Sequence, residues 1–210
     1  MTRTPRVSSL ITSMAVVAAV FVLRRWQLRW GATDAEMTEP LPGDELVPDP
    51  DLAATRAITI DARVDDVWPW IVQLGQGRGG FYSYDRLENL AGCDIHSALQ
   101  VNPDWQRLDV GDAVRLAPEL AVNVAVVKPP NALVLQGAVW PGAAAPYDFS
   151  WTFDLSPVSA TTTRLVVRER YAYTRWWARF VVEPVTVVSF VMSHRMLRGI
   201  RDRAEQSDQR

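Results

Sequence analysis

Asp94 and His96 are the residues whose types and spacing best suit acid–base chemistry. One residue separates them, so an extended segment places the carboxylate and the imidazole on the same side. Such a pair can transfer a proton or supply two metal ligands, but Glu88 and His96 have no recognised metal-ligand spacing. The sequence predicts no metal site. The pair is a catalytic candidate, and the alternative is a histidine that hydrogen-bonds a loop carbonyl.

Glu169 is the third ionisable candidate, because the strand-like segment LVVRERYAY alternates around it. It shares one face with apolar and aromatic neighbours, among them Val167 and Tyr171. A carboxylate that faces a cavity has its pKa raised by desolvation and can act as a general acid or base. The alternative is a structural ion pair with an arginine.

The glycine-rich segment 75–98, GQGRGGFYSYDRLENLAGCDIHSA, combines flexible backbone with aromatic and charged side chains. It lacks the Lys-Ser/Thr ending of a phosphate-binding loop and the spacing of a dinucleotide fingerprint. We expect it to form a lid over a cavity, in which Phe81, Tyr82 and Tyr84 gate the entrance and Arg78 meets a polar ligand head group. The alternative is a connection whose tyrosines pack on the sheet.

Other catalytic patterns are missing from the sequence. No serine lies in a nucleophile elbow, Cys93 has no nearby basic partner except His96, and no carboxylate pair has a glycosidase-like spacing. Because Cys93 is the single cysteine, an intrachain disulfide and a zinc site of several thiolates are excluded. A net charge of −2 gives no reason to expect nucleic acid as a partner. An enzyme is not indicated, and no cofactor is predicted.

Residues 1–30 are predicted to be a single-pass membrane anchor. The run 7–23 has no charged residue, is flanked by arginines and is followed by Trp26 and Trp30. As a helix it spans roughly 25 Å, slightly less than a hydrocarbon core. A cleaved signal peptide is the alternative, but the run ends in Arg24 and Arg25 instead of a small-residue cleavage site. The balance of flanking arginines weakly favours a cytoplasmic globular domain.

Residues 31–53 are predicted to be a linker. The segment is acidic, contains four prolines and shows no apolar periodicity. It is either a polar tether between the membrane and the domain or an arm that wraps the domain.

The remaining residues, 54–206, have the pattern of one α+β domain. A first strand, ATRAITID, precedes two short helices at 67–74 and 84–90, the first with Pro69 placed in its initial turn. Short connections between the following strands favour an antiparallel sheet. These strands are predicted at 113–116, 122–127, 132–139, 148–155 and 164–173.

A long C-terminal helix is predicted from near Arg175. Pro184 is expected to bend it or to divide it into two helices. Its apolar positions predict the face that packs on the sheet. They are Val181, Val185, Val188, Val191, Met192, Met196 and Ile200.

This order of elements resembles the START-related helix-grip superfamily, called SRPBCC, and especially its polyketide cyclase/dehydrase-like members. The resemblance covers roughly 54–204. It is strongest in the segment from ATRAITID to CDIHSA and in EPVTVVSFVMSHRMLRGIRDRAE. It implies a curved antiparallel sheet wrapped around the terminal helix, with a deep apolar cavity between them for lipids, sterols or polyketides. It implies no single activity.

The sequence therefore predicts a membrane-tethered domain that binds a hydrophobic small molecule or lipid. One alternative is a polyketide cyclase/dehydratase-like enzyme that uses Glu169, His96 or Asp94. Another is a module that holds a protein partner or the bilayer surface through Trp176, Trp177 and Phe180. The expected ligand-binding residues are Arg78, Phe81, Tyr82, Tyr84, Trp151, Glu169, Tyr171, Val188 and Met192.

Overall fold

Six strands and five α-helices make up the computed structural model, which describes residues 5–137 and 145–207, with side chains at 12, 14–137 and 145–206. The predicted end of one strand, at 138–139, lies outside the described residues. In chain order the elements are α1 (Pro5–Leu28), α2 (Asp34–Thr38), β1 (Leu52–Ile60), α3 (Val64–Val72), α4 (Asp85–Leu90), β2 (Ala113–Ala117), β3 (Leu120–Lys128), β4 (Ala132–Gln136), β5 (Tyr147–Pro157), β6 (Thr163–Tyr173) and α5 (Arg179–Ser207).

The strands form one antiparallel sheet in the order β1-β6-β5-β4-β3-β2. Strands β2 to β6 are a meander, and the first strand pairs with the last, with Ala54 opposite Glu169. The register shifts between Val124 and Val126 of β3, which is where a bulge bends a sheet. The predicted α+β class with a curved antiparallel sheet and a long C-terminal helix is confirmed.

Helices α3 and α5 pack on one face of the sheet and close the hydrophobic core. Trp70 and Ile71 of α3 are buried together with Leu197 and Ile200 of α5. The expectation that Pro69 lies in the first turn of its helix is wrong. Helix α3 starts at Val64, after an N-terminal cap without a side-chain bond, so the proline lies in the second turn.

Helix α5 is continuous through Pro184, so the predicted division into two helices is wrong. The predicted packing face is also wrong in its first half, because Val185, Val188 and Val191 are exposed. Polar residues lie inside in this half, where Thr186 and Ser193 are buried. They face inward because each has a hydrogen-bond partner there, and the apolar positions between them consequently face outward.

Residues 31–51 lie against the outer face of β5 and β6. The guanidinium of Arg164 binds both carboxylate oxygens of Glu36, at 2.7 and 2.9 Å. Arg168 pairs with Asp44, and Arg170 donates to the carbonyl of Val47 at 2.8 Å. The arginines of one face of β6 thus hold this acidic segment to the sheet.

The C-terminal turns of α1 pack along α5 in a parallel orientation. Arg24 binds Thr186, and Trp30 packs on His194 with ring centroids 4.4 Å apart. Residue numbers therefore increase in the same direction along both helices. Of the described helices, α5 is the one that meets a length and hydropathy criterion for crossing a membrane, over Arg179–Gln206. Its buried residues Leu197 and Ile200, however, belong to the core.

Candidate ligand-binding cavity

A cavity of about 270 Å³ lies between the sheet, the segment around α4 and helix α5. Its wall is predominantly apolar, with Trp151 contributed by β5 and Met192 by α5. Aromatic and aliphatic walls with a few polar groups are typical of sites for small hydrophobic ligands. The apolar lining residues are Phe81, Ile95, Leu116, Trp151, Met192 and Met196, and the polar ones are Ser83, Glu88, Cys93, Ser189 and Ser193.

Glu169 is buried behind two serines of this wall. Its Oε1 accepts hydrogen bonds from Arg56 Nη1 at 2.7 Å and from Ser189 Oγ at 2.8 Å. Its Oε2 accepts one from the hydroxyl of Tyr171 at 3.2 Å. Burial, followed by the charge of Glu169, raises the pKa of Tyr171 well above its ordinary value, so the phenol remains protonated and donates. The sequence left two alternatives for Glu169, a general acid or base and a structural ion pair with an arginine. The geometry of Glu169 fits the ion pair.

Glu88 is the second carboxyl group at the cavity, and it is unlike Glu169. It lies on α4, is buried, and its Oε2 has no hydrogen-bond partner among the described residues. Burial, and then the charge of Asp85, raises the pKa of Glu88 to about 7. The cavity therefore has one carboxyl group that changes charge near neutral pH.

Arg78 and Tyr82 fasten the glycine-rich segment to the domain and do not line the cavity. The guanidinium of Arg78 donates to the carbonyl of Val72 at 3.1 Å, and the hydroxyl of Tyr82 donates to the carbonyl of Trp70 at 3.1 Å. The backbones of residues 75 and 80 exchange two hydrogen bonds of 3.0 Å. These hydrogen bonds tie the turn to the domain, and Phe81 is the residue of the expected lid that lines the cavity.

Four other predicted residues lie away from the cavity wall. Asp94 and His96 pair at 3.2 Å, but their side chains are 66% and 81% exposed. Tyr84 and Val188 are likewise exposed, at 43% and 61%. Among the described residues, no group of three histidine, cysteine or acidic side chains is arranged to hold a metal ion. Phe81, Trp151 and Met192 are the predicted residues that the structure brings together on the wall.

Sequence reasoning missed the polar residues of the wall. Ser189, Met192, Ser193 and Met196 lie at positions i, i+3, i+4 and i+7, which is one helical face, and this spacing was a usable signal. Glu88 carried no such signal, because a single glutamate in a short helix is normally solvated. Arg56 lies in a strand of mainly apolar residues and could not be recognised, because its pairing with Glu169 depends on the register of β1 and β6.

No protein-family model matches this chain, and no curated protein sequence matches it. Among solved structures, a norcoclaurine synthase point mutant from Thalictrum flavum, in complex with a transition-state analogue, is similar over 75% of this chain and 96% of its own. The identity is 14% and the TM-score 0.48. CalU16 from Micromonospora echinospora is similar over 73% of this chain and 84% of its own, at 15% identity and a TM-score of 0.36.

DynU16, a protein of the dynemicin biosynthetic locus, is similar over 71% of this chain and 47% of its own length, at 18% identity and a TM-score of 0.42. At these identities the similarity concerns the fold alone, and no residue role is taken from these proteins. The strand order and the long terminal helix give this chain an α+β architecture with one curved antiparallel sheet.

Proposed function

We propose that this protein is a membrane-tethered domain that binds a hydrophobic small molecule or lipid. The cavity between the sheet and α5 is the observation that carries the proposal. Protein interiors are close-packed, and spaces much larger than a water molecule are few. A space of about 270 Å³ with a mainly apolar wall suits an apolar guest, whose burial contributes about 25 cal/mol per Å².

Helix α1 supports the membrane tether. Its side chains from Met14 to Leu23 are all exposed, and among them are Val17, Val20 and Phe21. An apolar helix that is exposed on every side is unfavourable in water and normal in a bilayer. We propose residues 1–30 as the single-pass anchor, with residues 31–53 joining it to the binding domain of residues 54–206. The flanking arginines favour a cytoplasmic location for that domain.

The outward face of α5 supports a second contact with the bilayer surface. Phe180, Val187 and Val191 are exposed along it, and Trp176 is 81% exposed just before the helix. Because α1 and α5 run in parallel, the exposed part of α1 points toward the end of the domain that carries Trp176. Tryptophan and phenylalanine at this end suit the membrane interface.

A cyclase/dehydratase-like reaction is the second candidate, and Glu88 is the observation that favours it. A carboxyl group with a pKa of about 7 is suited to general acid–base chemistry at neutral pH. Asp94 and His96 give this candidate no support, because both side chains are exposed and neither residue is among those that line the cavity. Glu169 is already engaged by Arg56 and two serines.

Native mass spectrometry of the full chain, released from detergent micelles, tests the binding function. Cys93 lines the cavity, so Cys93→Phe should fill part of the space, while Cys93→Ser keeps its size. We expect the wild type and Cys93→Ser to carry or take up one neutral probe, N-phenyl-1-naphthylamine, and Cys93→Phe to lose at least about tenfold in affinity. Equal uptake by both variants, or no uptake by any of them, would contradict the proposal.

A further inference from the structure

Two residues that line the cavity, Glu88 and Trp151, have a buried polar atom, Oε2 and Nε1, without a hydrogen-bond partner among the described residues, and Glu88 is the one that can ionise. Glu88 lines the cavity, and its Oε2 is buried and has no partner within the described residues. A buried carboxyl oxygen without a hydrogen bond lowers the stability of the fold, because it has lost its hydrogen bonds to water and forms none with the protein. A partner that enters the cavity from outside would remove this cost.

The charges around Glu88 favour a cation as that partner. Asp85, on the same helix, adds a second negative charge and raises the pKa of Glu88. Among the described residues, no lysine or arginine forms an ion pair with Glu88. From α5, the neutral residues Ser189, Ser193, Met192 and Met196 face the cavity. Arg203, further along α5, interacts electrostatically with Asp85 and donates to the carbonyl of Ala98 at 2.9 Å.

Glu169 does not compete for the same cation. Arg56 neutralises its charge within a pair that is almost completely buried. The two serines between Glu169 and the cavity point their hydroxyls toward the carboxylate, where they donate hydrogen bonds. Consequently, Glu88 is the acidic group of the cavity wall whose charge remains uncompensated.

We propose that Glu88 selects the ligand, and that the cavity takes an apolar molecule bearing one protonated amine, with the ammonium group hydrogen-bonded to Glu88 Oε2. This inference rests on the proposed hydrophobic-ligand function and adds the chemical class of the ligand. An ammonium supplies both a donor and a positive charge, whereas an alcohol supplies a donor alone. Pairing with the cation also favours the ionised form of the carboxyl group.

Three probes of matched size separate charge, hydrogen bonding and apolar burial: 1-naphthylmethylamine, 1-naphthylmethanol and 1-ethylnaphthalene. The full chain in detergent is mixed with each probe in a separate titration, and the bound fraction is measured by native mass spectrometry between pH 5 and pH 8. Above pH 7 we expect the amine to bind at least about tenfold more tightly than ethylnaphthalene, with the alcohol in between. The preference for the amine should decline toward pH 5, as Glu88 becomes protonated.

Glu88→Gln is the test variant, because it keeps the shape of the side chain and removes the charge. Its control is Glu119→Gln, which removes an exposed carboxylate in a turn away from the cavity. We expect Glu88→Gln to lose the amine preference and its pH dependence, while it still binds ethylnaphthalene. Glu119→Gln should behave like the wild type.

Two results would overturn the inference in different ways. If ethylnaphthalene binds but the amine has no advantage, or if Glu88→Gln keeps that advantage, the amine assignment is wrong and the hydrophobic-ligand function stands. If none of the three probes binds at any pH, the proposed function fails, and the amine assignment fails with it.

Discussion

Arg56 Nη1 donates to Glu169 Oε1 across 2.7 Å, and this ion pair joins neighbouring strands inside the domain. Both side chains are almost completely buried, at 0% and 3% exposure. We expect Arg56→Met to destabilise the protein by about 3–5 kcal/mol, because it leaves a buried carboxylate without its cation. Urea unfolding of the full chain in mild detergent measures this loss.

The double variant Arg56→Met with Glu169→Leu is the matched control, since it removes both charges. Replacing a buried ion pair by apolar groups costs much less than breaking it. We expect the double variant to recover most of the stability lost in Arg56→Met. If the two variants are equally unstable, the effect comes from packing and not from the unpaired charge.

Glu88 should make the protein less stable as the pH rises. Its pKa is about 7 in the folded protein, against 4.5 for an ordinary glutamate, so the folded state binds more protons between these values. The favourable contribution is complete below pH 4.5 and is lost as the pH rises through 7. Glu88→Gln should therefore be more stable than the wild type at pH 8 by up to about 3 kcal/mol, with little difference at pH 5.

Thermal unfolding of the ligand-free protein at pH 5, 6, 7 and 8 checks this expectation. Glu119→Gln should follow the wild-type curve, because its carboxylate is exposed. Parallel curves for wild type and Glu88→Gln would show that Glu88 keeps an ordinary pKa.

Glu36 should have the opposite pH dependence. Two hydrogen bonds from Arg164 lower the pKa of Glu36 to about 2, so the stabilisation is present above pH 4.5 and is lost as the pH falls through 2. We expect Glu36→Gln to cost about 2–3 kcal/mol at pH 7 and roughly half of that at pH 3. Denaturant titrations at both pH values measure the difference, and a cost that is independent of pH would contradict the assignment.

The membrane anchor can be tested without shortening the chain. An arginine at the centre of a membrane-spanning helix costs about 2.5–3.5 kcal/mol, so Val17→Arg together with Val20→Arg should prevent insertion. The control is Val17→Leu with Val20→Leu, which keeps the helix apolar. Flotation of cell membranes through a sucrose gradient should separate the two. Full flotation of the arginine variant after an alkaline carbonate wash, which releases proteins bound only to the membrane surface, would contradict an anchor in α1.

The sequence predicted the architecture well wherever one residue in two had to be apolar. Strand β6 is the best example, since alternation correctly placed Glu169 and Tyr171 on the inner face. It could not predict that the outer face is buried too. Arg168 is 3% exposed because residues 31–51 cover it, and that contact joins segments far apart in the chain.

The candidate site was predicted only in part, for two physical reasons. Apolar wall residues such as Trp151 follow the strand pattern, so they could be identified. Ser189 and Ser193 share a helical face with Met192 and Met196, but that this face is the inner one depends on Glu169, which lies on another element and accepts their hydrogen bonds. Val188 was consequently assigned to the wrong face of α5.

The contact between α1 and α5 bears on how the domain would sit on a membrane. Arg24, Gln27, Trp26 and Trp30 hold the end of α1 against α5 at Thr186, Phe190 and His194. These contacts fix the orientation of the helix relative to the domain. With α1 in a bilayer, the domain could neither tumble nor swivel freely, and the same side of the sheet would always be turned toward the lipid. An encounter with a membrane-dissolved molecule would then require no search over orientations.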